Sequence, residues 1–209
     1  MTVTIFSLFC MNPKEILQQS LEVLEKGGVI LYPTDSVWGI GCDATNEKAV
    51  AKVYEIKRRQ SAKSLVLLAS DLDMVARYVK EIPGIAIDLV EVNDSPMTII
   101  YPGAQYLAPN AVAEDGSVGI RVPLVEEGQK GSLKGADFCR ELCRRLRRPL
   151  VSTSANISGE DTPSCWAEIS EEIKGKVDYC VPRSLENGSG KASQIIKLGL
   201  RGEVEIIRA

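Results

Sequence analysis

Two segments of small polar residues, far apart in the chain, carry the side chains best suited to binding a ligand. The first is YPTDSVWGIG at residues 32–41 and the second is STSANISG at residues 152–159; each follows a short apolar run. A connecting turn does not need such a set of hydroxyls, amides and glycines, and ligands of α/β proteins bind where the chain leaves its strands. The two segments therefore predict one binding pocket.

Basic residues between these segments indicate that the ligand is an anion. Lys57 and Arg59 stand at the end of a helical pattern, and Lys63 precedes the next apolar run. The chain contains no Gly-x-x-x-x-Gly-Lys-Ser/Thr or Gly-x-Gly-x-x-Gly sequence, so these cations would have to bind phosphate without a P-loop or a Rossmann turn. The alternative is a solvated helix end and a surface lysine. Residue types alone leave both interpretations open.

The chain contains no histidine, and this excludes several kinds of chemistry. Ser–His and Cys–His nucleophiles and histidine general bases are ruled out. Carboxylates, cations, hydroxyls, backbone amides or a metal remain, and a reaction driven by positioning and charge neutralisation fits best. The six cysteines include no Cys-x-x-Cys pair and follow no secretion signal. They indicate free thiols in a reducing, cytoplasmic compartment and make a zinc site improbable.

Length and composition are those of an ordinary folded domain. The 209 residues are 44% hydrophobic and 25% charged, and the formal net charge is -3. We expect one domain over residues 1–209 with no linker, since no composition shift divides the chain. The apolar runs are too short to span a membrane. The net charge provides no global field for RNA, so any RNA contact needs a local basic patch.

Hydrophobic periodicity predicts alternating helices and strands that would position the polar segments. Helices are expected after caps at Asn12 and at Thr45 or Asn46, and over residues 71–80 and 138–146. Strands are expected over residues 29–32, 64–69, 96–101, 117–122, 150–152, 195–198 and 204–207. The result is a single α/β domain with a mixed, twisted sheet flanked by helices.

Arg121 is unusual because it lies inside a predicted strand. Its guanidinium would face one side of the sheet, where either a structural carboxylate partner or a ligand can satisfy it. The polar segments leave a similar choice. Thr34, Ser152, Ser154 and Asn156 can hydrogen-bond a ligand, or they can cap and form turns.

These residues, taken in order, resemble the YrdC/TsaC family. The shared motifs are YPTDSVWGIG, Lys57-x-Arg59, Lys63-Ser64-Leu65, Pro96-Met97-Thr98, Val118-Gly119-Ile120-Arg121, STSANISG and Gly190-x-x-Ser193, and they run from about residue 12 to the end. The resemblance implies a twisted sheet curved around a large open cavity. It also implies synthesis of threonylcarbamoyl-adenylate from L-threonine, bicarbonate and ATP, for modification of adenosine beside certain tRNA anticodons. A tRNA threonylcarbamoyl-transferase complex would act downstream.

The resemblance also implies roles for individual residues. It places the catalytic cations Lys57 and Arg59 on the nucleotide. The other nucleotide-binding residues would be Lys63, Thr98, Ser154, Asn156 and Arg208. Threonine would be bound by Thr34, Arg121, Ser152 and Ser193, with Arg121 on the carboxylate. Magnesium is the expected cofactor, with no ligands assigned.

The chain departs from the family pattern in three places. Residues 93–96 read Asn-Asp-Ser-Pro where relatives commonly have Trp-Pro-Gly-Pro, which changes the rim of the cavity. Leu68 stands where some relatives have a histidine, which affects a threonine contact. Arg208 is followed by Ala209 instead of Pro-Gly, which changes the sequence beside a predicted nucleotide-binding arginine.

Two other functions are consistent with the sequence. A structured-RNA-binding module is suggested by basic residues crowded at one helix end, namely Arg140, Arg144, Arg145, Arg147 and Arg148. Cations at a helix terminus also simply stabilise the helix. A carbamoyl-adenylate-using transferase is the other alternative, although the zinc-finger cysteines that accompany such domains are absent from this sequence.

Overall fold

The computed structural model describes residues 12–59 and 65–209. The predicted phosphate ligand Lys63 and the thiol of Cys10 lie outside these residues. The described part of the chain forms one nine-stranded sheet with α-helices packed against it. The predicted α/β class is confirmed.

Four of the six helices in the described residues, α1, α2, α3 and α6, begin after a side-chain cap. Their bounds are α1 Pro13–Glu25, α2 Glu47–Ile56, α3 Leu72–Tyr78, α4 Gly84–Val92, α5 Gly135–Leu146 and α6 Glu171–Lys176. Asn12 and Glu15 form the complete capping box of α1, with the Asn12 amide donating to Glu15 Oε2 at 3.0 Å. Asn46, rather than Thr45, caps α2 by accepting hydrogen bonds from the amides of Lys48 and Ala49.

The strands pair in an order that differs from their order in the chain. They are β1 Ile30–Tyr32, β2 Gly39–Gly41, β3 Val66–Leu68, β4 Met97–Tyr101, β5 Val118–Arg121, β6 Leu150–Ser154, β7 Tyr179–Cys180, β8 Gln194–Leu198 and β9 Val204–Arg208. Across the sheet the order is β7-β1-β2-β6-β3-β5-β4-β8-β9. The β1/β7, β3/β5 and β4/β8 pairs are parallel and the others are antiparallel. The sheet is mixed, as predicted.

Both polar segments extend further into the sheet than the periodicity predicted. Residues 39–41 form β2, and β6 continues through Ser154 instead of ending at Ser152. β2 pairs with β6, so that Gly39 faces Ser154 and Ile40 faces Thr153. Two segments more than a hundred positions apart in sequence are therefore adjacent strands, and this brings their hydroxyls together.

Three short elements have no counterpart in the sequence prediction. Helix α4 begins at Gly84 after Pro83, which provides no side-chain cap, and α6 has only six residues and β7 only two. The six residues of α6 and the two of β7 are too few to show a periodicity, and α4 is apolar without a clear polar face and lacks a side-chain cap, so its sequence does not show the pattern of an amphipathic helix. Cys139 and Cys143 of α5 are fully buried in the hydrophobic core.

Among the described residues, no helix combines the length and the apolar character needed to cross a bilayer. The cysteines within the described ranges carry no disulfide and are free thiols.

Candidate functional site

A cleft of about 260 Å³ opens where the two polar segments meet the strands β5, β8 and β9. It brings together seven of the predicted site residues. These are Thr34, Arg59, Arg121, Ser152, Ser154, Ser193 and Arg208. Lys57 and Thr98 are buried behind its wall, and the half-buried Asn156 does not line it either. The structure thus assembles most of the site from positions spread over the whole described chain.

The charge of the cleft comes from three arginines. Arg59 follows α2, Arg121 ends β5 and Arg208 ends β9, and the described lining includes no carboxylate. Burial lowers the pKa of Arg59, and burial together with the neighbouring Arg121 lowers the pKa of Arg208. A guanidinium stays protonated under such shifts. The cleft is therefore suited to a ligand with several negative charges.

Arg121 has the carboxylate neighbour that its position in a strand led us to consider. Its side chain is only 5% exposed, Nη1 lies 3.3 Å from Asp35 Oδ1, and Nη1 also donates to Ser36 Oγ at 2.7 Å. Within the described residues, neither Asp35 oxygen nor the Nε of Arg121 forms a hydrogen bond. The ion pair is real but incomplete, so Arg121 retains donor capacity beside the cleft.

Thr34 forms its own turn. Its hydroxyl donates to the carbonyl of Val37 at 2.7 Å, accepts from the amide of Ser36 at 3.1 Å, and lies 3.0 Å from Ser36 Oγ. The single hydroxyl proton is thus used within the segment. In the structure Thr34 therefore stabilises its own turn. That Thr34 contacts the substrate threonine stays a prediction.

Lys57 is nearly inaccessible, with 3% of its surface exposed. Its ammonium donates to the carbonyl oxygens of Ser154 at 2.5 Å and Asn156 at 2.7 Å, and to Asn156 Oδ1 at 3.4 Å. Burial, followed by the charge of Arg59, lowers the pKa of Lys57 to about 8. The side-chain Nδ2 of Asn156 in turn donates to the carbonyl of Glu160 at 2.7 Å. Lys57 and Asn156 thus stabilise the conformation of the second polar segment.

Ser193 contacts residues of β4 and β9. Its hydroxyl lies 2.9 Å from Oγ1 of Thr98, a residue with no exposed surface. Arg208 donates from Nε and Nη2 to the carbonyl of Ser193, at 2.8 and 2.6 Å. Thr98 lies beneath Ser193 and does not face the cleft, so direct nucleotide contact by Thr98 stays a prediction.

A protein-family model matches most of this chain and shows which family it belongs to. The model Sua5_yciO_yrdC, described as "Telomere recombination", matches residues 22–209. The chain belongs to the Sua5/YciO/YrdC family. The resemblance inferred from the motifs is confirmed.

Solved Sua5/YciO/YrdC structures share the fold of this chain. It is similar to a variant of P. abyssi Sua5 (TM-score 0.79, 24% identity, 95% of this chain and 57% of that one). It is also similar to P. abyssi Sua5 complexed with L-threonine (TM-score 0.73, 24% identity, 90% and 52%). E. coli YciO matches with a TM-score of 0.72 and 23% identity, over 94% of this chain and 89% of its own. The chain spans about half the length of the Sua5 chains.

The Sua5/YciO/YrdC cleft of this chain also contains residues that were not selected individually from the sequence. Trp38 lines it, donates from Nε1 to Glu186 at 2.5 Å, and packs against Trp166 with ring centroids 5.0 Å apart. Ser36, the partner of Arg121, was noted only as one of several hydroxyls. Trp38 and Ser36 both lie inside the first polar segment, and this position is the signal that could have identified them. The sequence around Glu186 carries no such signal.

Three of the five arginines named at the end of α5 pair with carboxylates. Arg144 and Arg145 both pair with Glu141 at 2.6 Å, and Arg148 pairs with Asp43 at 2.5 Å. These contacts favour the helix-stabilising interpretation of the arginines. RNA binding at this surface stays a prediction.

The described residues contain no group of three or more cysteine or carboxylate side chains arranged to hold a metal. Mg²⁺ prefers oxygen ligands, usually one or two carboxylates with phosphate and water, and the described cleft lining supplies no carboxylate. The residues present do not form a protein cage for magnesium, and this predicted cofactor has no ligands assigned to it.

Proposed function

We propose that this chain synthesises threonylcarbamoyl-adenylate and pyrophosphate from L-threonine, bicarbonate and ATP. The observation that supports the proposal most is the cleft itself. It joins three arginines to neutral hydroxyl donors, without a carboxylate among the described lining residues. Membership of the Sua5/YciO/YrdC family adds support, as does the shared fold with a Sua5 that was crystallised with L-threonine.

ATP would use the part of the cleft near Arg59 and Arg208. A triphosphate requires several positive charges or amide donors to offset its own charge. Two guanidinium groups supply positive charge at fixed positions, and Ser154 offers hydrogen bonds without charge. Magnesium would enter on the phosphates of ATP, where it would offset further charge.

L-Threonine would bind at Arg121. The planar guanidinium can hold a carboxylate through two parallel hydrogen bonds, which the ammonium of a lysine cannot do. The incomplete pairing of Arg121 with Asp35 leaves it donors for this purpose. Ser152 and Ser193 line the same cleft and would contact the polar groups of the amino acid.

The chemistry requires no covalent enzyme intermediate. The threonine amine combines with carbon dioxide derived from bicarbonate and loses a proton, which forms a carbamate. A carbamate oxygen then attacks the α-phosphorus of ATP. The bond from that phosphorus to the oxygen bridging to the β-phosphate breaks, and pyrophosphate leaves with the electron pair. The protein contributes alignment and charge stabilisation, which a chain without histidine can supply.

The product would be used for tRNA modification in the cytoplasm, by transfer to a tRNA threonylcarbamoyl-transferase complex. Threonylcarbamoyl-adenylate is a mixed anhydride, so it must be consumed by a group transfer to a nucleophile. Direct tRNA contact is not required for the synthesis step.

Pyrophosphate release by the purified chain tests the proposal. Release that requires ATP, L-threonine, bicarbonate and magnesium together supports it. Release with carbamoyl phosphate in place of threonine and bicarbonate would indicate the carbamoyl-adenylate-using transferase instead. Absence of release under every combination, with salt-sensitive binding of structured RNA, would support the RNA-binding module.

A further inference from the structure

We propose that Lys57 is a positioning residue, whose buried ammonium holds the turn 154–156 in place and leaves phosphate contact to Arg59. The ligand named here, a nucleotide, rests on the proposed function. The structural part of the inference, that Lys57 holds this turn, does not depend on any ligand.

The ammonium of Lys57 is fully occupied. An ammonium group has three protons, and the structure provides three acceptors, the carbonyls of Ser154 and Asn156 and the side-chain oxygen of Asn156. The carbonyl of Lys57 also accepts from the amide of Ser158 at 2.9 Å. One residue thus ties down both ends of the segment 154–158.

Contact with a phosphate would disrupt this arrangement. Lys57 has 3% of its surface exposed and does not line the cleft. To reach a phosphate, Nζ would have to release at least one of these acceptors; the carbonyl of Ser154 also accepts from the amide of Asn156 at 2.9 Å, so the larger loss would be the 2.7 Å hydrogen bond to the carbonyl of Asn156. A new ionic contact would therefore come at the expense of an existing one.

Three consecutive cations leave α2 in different directions. Lys57 turns inward to the 154–156 turn, and Arg58 pairs with Glu172 at 2.6 Å on the surface. Arg59 lines the cleft. Arg58 has a φ of 49°, a left-handed conformation that ends the helix and separates the directions of its neighbours. The Lys-x-Arg pair therefore divides into one support and one ligand-facing cation.

The turn held by Lys57 carries part of the cleft wall. Ser154 lines the cleft, and the amide of Ala155 donates to the carbonyl of Trp38 at 3.1 Å. Lys57 thus sets where Ser154 stands relative to the first polar segment. Removal of the Lys57 ammonium should therefore weaken the binding of any ligand that contacts this wall, whether the contacting group is charged or neutral.

The first test compares Lys57→Met with Lys52→Met. Lys52 lies on the same helix, but pairs with Asp178 at the surface, so it controls for the loss of one lysine. Without ligand, hydrogen exchange of residues 154–158 should be about tenfold faster in Lys57→Met and unchanged in the control. Unchanged exchange in both variants would overturn the proposal.

The second test compares the affinities of ATP and adenosine. A positioning role predicts that Lys57→Met weakens both by a similar factor, on the order of tenfold, because the displaced wall is common to both ligands. A direct phosphate contact predicts a loss for ATP alone. Unchanged adenosine affinity would contradict the proposal.

Wild-type protein provides a measurement that does not depend on the folding of a variant. The ammonium protons of Lys57 should be visible by ¹⁵N NMR because they are buried and hydrogen-bonded. Their signal should stay in place when ATP is added; a large shift, absent with adenosine, would refute the assignment. If wild-type protein binds neither ligand, the proposed function fails, and hydrogen exchange still decides the role of Lys57.

Discussion

A substitution at Arg121 can test separately how its positive charge and its planar pair of donors contribute to substrate binding. Arg121→Lys keeps the positive charge beside Asp35 but loses the planar pair of donors. We expect the KM for L-threonine to rise about tenfold or more, with a smaller change in the KM for ATP. Steady-state pyrophosphate release measures both constants, and Arg201→Lys on an exposed turn serves as the control. Equal effects on the two substrates would contradict the threonine assignment.

Lys57 should give the protein an unusual dependence of stability on pH. Burial, and then Arg59, lower its pKa from 10.5 to about 8 in the folded state. Between about pH 8 and 10.5 the unfolded chain keeps a proton that the folded protein has lost, so unfolding becomes less favourable as pH rises. The free energy of unfolding of wild type should therefore increase relative to Lys57→Met across this range.

Denaturant titrations at several pH values measure this difference. Subtraction of the variant removes the contribution of the tyrosines and cysteines, which titrate in both proteins. A difference that stays flat or falls between pH 8 and 10.5 would show that Lys57 keeps its proton. The same deprotonation removes one donor from the 154–156 turn, so ligand affinity should decline while stability rises.

At the scale of elements, the antiparallel pairing of β2 with β6 is what places the two polar segments side by side. Gly41 permits this pairing, because a side chain there would overlap the carbonyl oxygen of Val151 and crowd the ring of Tyr32. Gly41→Ala should destabilise the protein by about 3 kcal/mol, the effect of overpacking a buried site. Chemical denaturation measures the loss.

Gly175→Ala is the matched control for this substitution. Gly175 lies within α6, and a β-carbon there would meet no other atom within 4 Å. Alanine favours a helix over glycine by up to about 1 kcal/mol, so this variant should be as stable as wild type or slightly more stable. Equal losses in the two variants would show that the close approach of β2 to β6 is not the cause.

At the scale of the whole molecule, the cleft draws on residues from Thr34 to Arg208. A ligand that bridges them should stabilise the entire described fold and not one part of it. ATP at about a hundred times its Kd should raise the free energy of unfolding by about 2.7 kcal/mol. A thermal shift assay checks this, with adenosine as the comparison ligand. No change in Tm at saturating ATP would contradict nucleotide binding in the cleft.

Much of the secondary structure and most of the site could be predicted from the sequence because the signals were local. The capping box of α1, the Asn46 cap and the apolar runs of β1 and β4 each depend on a few adjacent residues. The motif order likewise identified the family before any geometry was known. Helix α4 and strand β7 could not be predicted, because α4 has neither a cap nor a clear polar face and β7 has only two residues.

Residue types and their order thus determined the α/β class, the family and the set of polar and basic residues that assemble around one cleft. Only the tertiary structure decided which of those residues face the cleft. Lys57 and Arg59 look equivalent in sequence, yet one supports a turn and the other lines the cleft. The reason is physical: a side chain's role depends on the acceptors within its reach, and those of Lys57 lie almost a hundred positions away in β6 and the turn that follows.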